Sequence, residues 1–226
     1  MDLNKSYEFF QPEKYDDRLH IIGCGAIGST VAENLARLGL KDITLYDFDT
    51  VEAHNIANQM FRHRDIGQLK VDALRNILIE INPDAAEYIK SLKSGYIAQP
   101  LSGYIFLCLD NIDLRREIVK RCMGNEFIKA VFDFRMRLMD AQHYAADWSD
   151  KNLVQILLNS MDFTHDEAIA ETPVSACNLP LSVAYTVRAI CALGVSNFVN
   201  FVNHGKIKKF MQINLDANSY MLDAFD

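Results

Sequence analysis

Three glycines near the start of the chain form the motif Gly-x-Gly-x-x-Gly, from Gly23 to Gly28. The segment 19–22 before it, which is apolar except for His20, is typical of a buried strand, and the residues from Ala26 onward have the spacing of a helix. Here the first glycine permits a tight turn, the second lets phosphate approach the backbone, and the third lets helix pack on strand. The helix start offers free N–H groups to anionic oxygens. The spacing predicts a nucleotide phosphate site formed by Gly23, Gly25, Ala26, Ile27 and Gly28.

A carboxylate follows the next strand. Asp47 comes directly after the apolar segment 43–46, about twenty residues beyond the glycines, where a carboxylate accepts hydrogen bonds from ribose hydroxyls. This pattern suits NAD and ATP equally. The two motifs together therefore predict an adenosine nucleotide and leave open which chemistry is done with it.

Two further polar positions are suited to nucleotide phosphates. Lys70 falls on the apolar side of a helix predicted at 66–81, near its start. Such a lysine has either an anionic partner or a packed stem whose ammonium reaches water. Asp110 and Asn111 follow an apolar strand predicted at 104–109, at the carboxyl end where ligands of open α/β sheets bind. A carboxylate there suits Mg²⁺, although either residue would also serve as the cap of the next helix.

The pattern of apolar segments indicates which elements position these motifs. Strands and helices alternate over the first half of the chain, and a possible hairpin, a helix and a half-exposed strand are predicted at 128–146, 181–193 and 211–215. The segment 147–176 is acidic and gives no clear element. We expect an α/β, Rossmann-like fold with a mainly parallel central sheet, helices on both faces and a C-terminal elaboration with antiparallel strands. A single domain over 1–226 is expected, with a nucleotide core at about 18–134 and the elaboration at about 135–226.

The composition of the chain indicates which partners are disfavoured and which cellular compartment is expected. The net charge of −7 disfavours general affinity for nucleic acid or an anionic membrane. The polar start of the chain carries no hydrophobic signal segment, so a cytosolic protein is expected. The five cysteines are scattered without a C-x-x-C pair, so neither structural zinc nor a disulfide scaffold is expected.

The full set of motifs resembles the ThiF/MoeB/HesA family of ubiquitin-activating-like adenylyltransferases. The resemblance is close in order and spacing from about Arg18 to Leu114. It rests on the glycine motif, Asp47 to Val51, Asn55, Gln59, Asp65-Ile66-Gly67, Lys70, Asn82-Pro83 and Asp110-Asn111.

This resemblance implies an activity and a role for each matching residue. An acceptor carboxylate, that of a ubiquitin-like or sulfur-carrier protein, would attack the α-phosphorus of ATP and expel pyrophosphate. Asp47 would hold the ribose with support from Asp49, and Lys70 would neutralise the β and γ oxygens. Asp110 would bind Mg²⁺ and is the expected metal ligand. The rest of the nucleotide site would be Asn55, Asn58, Gln59 and Asn111. The resemblance also implies a homodimer.

The chain departs from the family pattern at a phosphate-facing position. Asn58 stands where the family has arginine before the glutamine, and Arg62, Arg64 or Arg135 are hypothesised to compensate. An alternative is therefore an ATP-binding pseudo-enzyme of weak activity, or a partner subunit of an activating complex. An NAD-dependent oxidoreductase is a further alternative, but it leaves Lys70 and the polar loop after Asp47 unexplained.

Cys177 is a candidate nucleophile. It precedes Pro180 and a predicted helix, whose dipole would lower the pKa of the thiol. Some relatives carry a reactive cysteine in this region, and the alternative is a small apolar residue that packs near a helix start. The other four cysteines are interpreted as packing residues: Cys24, Cys108, Cys122 and Cys191.

Overall fold

One sheet of eight strands organises the part of the chain that the computed structural model describes, residues 1–15, 17–177, 180–216 and 219–225. The strands are β1 Leu19–Ile22, β2 Ile43–Tyr46, β3 Lys90–Leu92, β4 Gly103–Leu107, β5 Ile128–Met136, β6 Asp140–Asp147, β7 Phe210–Asp216 and β8 Ser219–Phe225. The α-helices are α1 Ala26–Arg37, α2 Lys70–Ile81, α3 Ile112–Cys122, α4 Lys151–Asn159, α5 His165–Ala170 and α6 Ala184–His204.

The strand order is β3-β2-β1-β4-β5-β6-β7-β8. The first five strands are parallel and the last three are antiparallel to their neighbours. The chain order therefore reverses between β1 and β4, which is the switch point at which open α/β sheets bind ligands. We call the edge where β1, β2 and β4 end the carboxyl edge. The predicted Rossmann-like fold with antiparallel C-terminal strands is confirmed.

Apolar residues alternate between the two faces of the sheet and pack under helices on each side. Ile21 and Phe106 contribute to a core that α1, α2 and α6 cover. Ile22 and Leu107, their neighbours in sequence, contribute to a second core under α3 and α4. Strand side chains point alternately to opposite faces, so β1 and β4 each supply both cores. The helix α6, from the C-terminal elaboration, thus completes the core of the nucleotide half.

Three predicted elements have different bounds in the structure. Helix α2 begins at Lys70 and not at 66, because Gly67 has a left-handed φ of 86° and Leu69 bridges to Thr50. Helix α6 begins at Ala184 and extends to His204, and the following Gly205, with a left-handed φ of 65°, ends it. The segment 147–176 was expected to be irregular, but it contains α4 and α5. Their side-chain caps, Asp150 and Thr164, stabilise these helix starts.

Helix α6 is long and apolar enough, by length and composition, to cross a membrane. Half of its most apolar window is nevertheless buried inside the structure. Val187, Ile190 and Phe198 belong to the core under α1 and α2. Because a core helix meets the same criterion, α6 is a weak indication of a membrane span.

A buried ion cluster joins β5 to the end of β4. Asp133 is fully buried, and its two oxygens accept hydrogen bonds from Arg115 and, at 2.7 Å, from Arg135 Nε. Arg115 also donates to the main-chain oxygens of Leu107 and Leu109. Burial opposes ionisation of Asp133, but the charges of Arg135 and Arg115 outweigh it and lower the carboxyl pKa. The cluster thereby fixes the chain directly before Asp110.

Candidate active site

Close backbone packing explains the first and third glycines of the loop between β1 and α1. Gly23 has a φ of 91°, and a Cβ on it would lie 2.7 Å from the main-chain nitrogen of Leu109. A Cβ on Gly28 would lie 1.8 Å from the main-chain oxygen of Gly23. Side chains at these positions would push apart β1, β4 and α1.

Gly25 is different, because the space beside it is open. Among the described residues, the nearest atom to a Cβ built there is Nε2 of Gln59, at 4.0 Å. Gly25 is the N-cap residue of α1, and within that described helix no side chain caps the start and no acidic residue occupies the first turn. The first amides of α1 thus face a space that an anionic oxygen fits. This is the arrangement that a nucleotide phosphate requires.

Replacing Gly25 with alanine is expected to weaken ATP binding about tenfold or more, because the added methyl occupies the space beside the first amides of α1. The fold is expected to persist, since no atom of the described residues beyond its chain neighbours lies closer than 4.0 Å to the methyl. Calorimetric titration with ATP, together with a thermal melt, checks both expectations. Unchanged ATP affinity would show that no phosphate of ATP binds beside Gly25.

Asp47 joins the glycine loop to the loop after β2. Its Oδ2 accepts the N–H of Cys24 at 2.7 Å, and its Oδ1 accepts the N–H of Asp49 at 2.9 Å. Burial raises the pKa of this carboxyl above its usual value, although the two N–H donors oppose the shift. Each carboxylate oxygen keeps an acceptor lone pair after these bonds. The carboxylate is therefore fixed in place and can accept hydrogen bonds from a ribose.

Lys70 has an anionic partner in the same loop. Its Nζ lies 2.7 Å from Oδ2 of Asp49, and its main-chain N–H donates to the oxygen of Asp49 at 2.8 Å. The lysine is buried, whereas the carboxylate of Asp49 is half-exposed. Of the two alternatives left open by the sequence, the paired lysine is the one observed. An ammonium group has three protons, so phosphate oxygens can bind beside Asp49.

The polar loop after β2 uses its amides in three ways. Asn55 is buried, and its Oδ1 accepts the N–H of Glu52 at 2.9 Å, which holds the loop in a tight turn. Nδ2 of Asn58 donates to Oγ of Ser182 at 2.7 Å. Oε1 of Gln59 is buried and has no hydrogen-bond partner among the described residues. Gln59, beside Gly25, therefore has a buried amide oxygen with spare bonding capacity.

Asp110 and Asn111 have separate roles at the end of β4. Asn111 caps α3, because its Oδ1 accepts the N–H of Leu114 at 2.9 Å. Asp110 is exposed and forms no hydrogen bond or ion pair with any residue that the structure describes. A free carboxylate at this edge suits Mg²⁺, which prefers one or two carboxylates together with phosphate oxygens and water. The described ranges hold no cluster of three or more metal-ligating side chains.

The three arginines hypothesised to compensate for Asn58 are engaged elsewhere. Arg62 and Arg64 pair with Glu80 at 2.5 and 2.6 Å. Glu80 lies near the end of α2, about 15 Å along the helix from Lys70. Arg135 is bound to the buried Asp133. The hypothesis that these side chains replace the missing arginine is therefore not supported by their positions.

Cys177 is exposed, so it is not the packing residue that one interpretation of the sequence expected. Helix α6 begins only at Ala184, and a helix dipole acts within about the first turn. Cys177 thus lies seven residues before the helix and not directly at its start, and a nucleophilic role for Cys177 stays a prediction. The other four cysteines are buried, as expected. Burial raises their thiol pKa values, in Cys122 to about 11.

Sequence reasoning missed two residues that α6 and the segment before it bring to the polar loop. Ser182 bonds Asn58, and Nη1 of Arg188 donates to Oγ1 of Thr30 on α1 at 2.8 Å. Neither residue belongs to a motif, and both lie in the elaboration, so no local pattern indicates their position.

A doubly wound sheet with a glycine loop at its switch point and a carboxylate at the end of β2 defines a Rossmann-like nucleotide-binding protein. More narrowly, the chain belongs to the ThiF family, whose sequence profile matches residues 11–137, more than half of the chain.

Curated relatives match about half of the chain. Ubiquitin-like modifier-activating enzyme 5 of Arabidopsis thaliana is 47% identical over 122 residues, which cover 45% of this chain and 28% of that protein. The molybdopterin-synthase adenylyltransferase of Escherichia coli strain K12 is 33% identical over 115 residues, which cover 48% of this chain and 46% of that protein. The matches therefore span less than half the length of these relatives.

Solved structures share the fold over nearly the whole chain. MccB of E. coli, crystallised with AMPCPP and MccA, aligns with a TM-score of 0.69 and 17% sequence identity. The alignment covers 93% of this chain and 64% of MccB. PaaA aligns with a TM-score of 0.67, also at 17% identity. At this identity the likeness concerns the fold, and it extends to the C-terminal elaboration.

Proposed function

We propose that this chain binds ATP at the carboxyl edge and adenylates a carboxylate. The observation that carries the proposal is the convergence of four features at this edge. They are the open space over Gly25, the fixed carboxylate of Asp47, the buried Lys70 and the free carboxylate of Asp110. Both the ThiF family membership and the names of the relatives support it.

In the proposed reaction, a carboxylate oxygen of the acceptor attacks the α-phosphorus of ATP, and pyrophosphate leaves with the electrons of the broken P–O bond. Asp47 holds the ribose, the first amides of α1 bind phosphate oxygens, and Lys70 neutralises charge that grows on the departing pyrophosphate. Such chemistry depends on positioning and charge neutralisation. Mg²⁺ would supply further neutralisation of the phosphates, with Asp110 as its protein ligand.

The proposed acceptor is the C-terminus of a ubiquitin-like or sulfur-carrier protein. This finer assignment rests on the names of the relatives, a ubiquitin-like modifier-activating enzyme and a molybdopterin-synthase adenylyltransferase. We also propose that residues 1–226 act as one domain, because α6 completes the core beneath the nucleotide loop. A homodimer in the cytosol is part of the same proposal.

A second candidate function is an ATP-binding partner subunit with weak activity of its own. The observation that favours it is Asn58, which occupies the family's arginine position and bonds the hydroxyl of Ser182. Removing one preorganised charge from a transition state costs about 3 kcal/mol. A chain without that charge would bind ATP and transfer the adenylate slowly.

ATP–pyrophosphate exchange with Mg²⁺ and small carrier proteins ending in Gly-Gly tests the proposal. Exchange is expected to require a carrier and to fall about a hundredfold in Asp110→Asn, because the protein ligand of the cation loses its negative charge. Asp113→Asn is the matched control, since Asp113 is a neighbouring exposed aspartate that pairs with Arg116 on α3. ATP binding without exchange for every carrier would favour the partner subunit.

A further inference from the structure

Arg188 lies on α6 with its guanidinium against the nucleotide half of the chain. Nη1 donates to Oγ1 of Thr30 at 2.8 Å and also contacts the sulfur of Met60. The side chain is exposed despite these contacts. Two neutral groups thus hold one end of the guanidinium, and its other N–H donors remain available to a ligand.

The contacts of Arg188 belong to the two segments that border the open space over Gly25. Met60 follows Gln59 in the polar loop, and its N–H donates to Oγ of Ser29 on α1 at 3.2 Å. Thr30 lies about 6 Å along α1 from Ala26, the first helical residue. The guanidinium is therefore about one helical turn from the amides that face the phosphate space.

The charge of Arg188 has no carboxylate partner among the residues that the structure describes. Every other described arginine except Arg75 forms an ion pair with a carboxylate. Arg75 instead donates to the main-chain oxygens of Ala86 and Ile89. Arg188 is thus the arginine beside the nucleotide loop whose charge is free to bind an anion.

We propose that Arg188 binds the β- and γ-phosphates of ATP and supplies the positive charge that Asn58 lacks. The inference rests on the proposed ATP binding and adds a residue to it. Asn58 bonds Ser182, six residues before Arg188, so the start of α6 is held against the loop that lacks the arginine. A guanidinium presents its donors as a planar fork that matches phosphate oxygens.

The test compares ATP with AMP, because AMP lacks the β- and γ-phosphates. We expect Arg188→Ala to weaken ATP binding about tenfold or more in calorimetric titration and to leave AMP binding unchanged. The ATP affinity of Arg188→Lys should lie between that of the wild type and that of the alanine variant, because lysine keeps the charge but lacks the planar fork of donors. Arg64→Ala is the matched control, because Arg64 pairs with Glu80. Thermal melts of all variants show whether the fold is retained.

A rescue experiment tests the link to Asn58. Asn58→Arg in the Arg188→Ala background should restore the preference for ATP over AMP. If it does not, the claim that Arg188 replaces the missing arginine is overturned. If Arg188→Ala keeps the wild-type preference for ATP over AMP, Arg188 does not bind phosphate. That outcome overturns the inference about Arg188 and leaves the proposed ATP binding intact. If the wild type itself binds no ATP, the proposed function falls as well.

Discussion

Replacing Lys70 with alanine is expected to reduce ATP–pyrophosphate exchange by about a hundredfold or more, since removal of one preorganised charge costs about 3 kcal/mol in the transition state. Lys70 is buried at the start of α2, and its ammonium lies 2.7 Å from Asp49 in the loop that carries Asp47. A buried ammonium at this position attracts the phosphates strongly because little water screens it. The measurement is the exchange rate at saturating ATP and carrier.

The fold of Lys70→Ala should survive, because the carboxylate of Asp49 is half-exposed and water solvates it once the lysine is gone. Lys93→Ala is the matched control. Lys93 pairs at 2.8 Å with Asp72, which lies in the first turn of α2 as Lys70 does. Unlike Lys70, Lys93 has an exposed side chain. Equal losses in the two variants would mean that the charge of Lys70 has no special role in the reaction.

Replacing Asp133 with alanine is expected to lower the free energy of unfolding by about 3–5 kcal/mol. The change leaves the buried Arg115 and the largely buried Arg135 without their shared carboxylate. Unpaired buried charges are costly because the protein interior solvates them poorly. Urea denaturation followed by fluorescence measures the loss.

Asp42→Ala provides the comparison for Asp133→Ala. Asp42 also pairs with an arginine, Arg18 at 3.1 Å, but about a third of each side chain is exposed. Exposed pairs contribute about 1 kcal/mol or less, so this variant should unfold near the wild-type midpoint. A loss below about 1 kcal/mol in Asp133→Ala would contradict the view that the cluster stabilises the end of β4.

The parts of the site that depend on residues close together in the sequence were predictable. The glycine loop follows from backbone packing between β1 and α1, and the position of Asp47 follows from where β2 ends. The inward direction of Lys70 follows from helical periodicity. Its partner was not predictable, because periodicity gives the direction of a side chain and not the group that it meets.

The parts that depend on distant residues were not predictable. The bond from Asn58 to Ser182 joins positions 124 residues apart, and the bond from Arg188 to Thr30 joins positions 158 apart. No local pattern encodes such contacts. The strand β3 was missed because its three residues are too few for a periodic signal.

The position of α6 has a consequence for synthesis on the ribosome. Phe106 of β4 packs against Phe198 of α6, with ring centroids 5.5 Å apart. The nucleotide half of the chain emerges from the exit tunnel first, yet the part of its sheet that packs against α6 stays uncovered until α6 has been translated. Nascent chains expose apolar surface during such an interval and depend on chaperones or on rapid elongation to avoid aggregation. A ribosome that stalls before codon 184 would therefore hold a chain whose nucleotide loop is complete but whose supporting core is open.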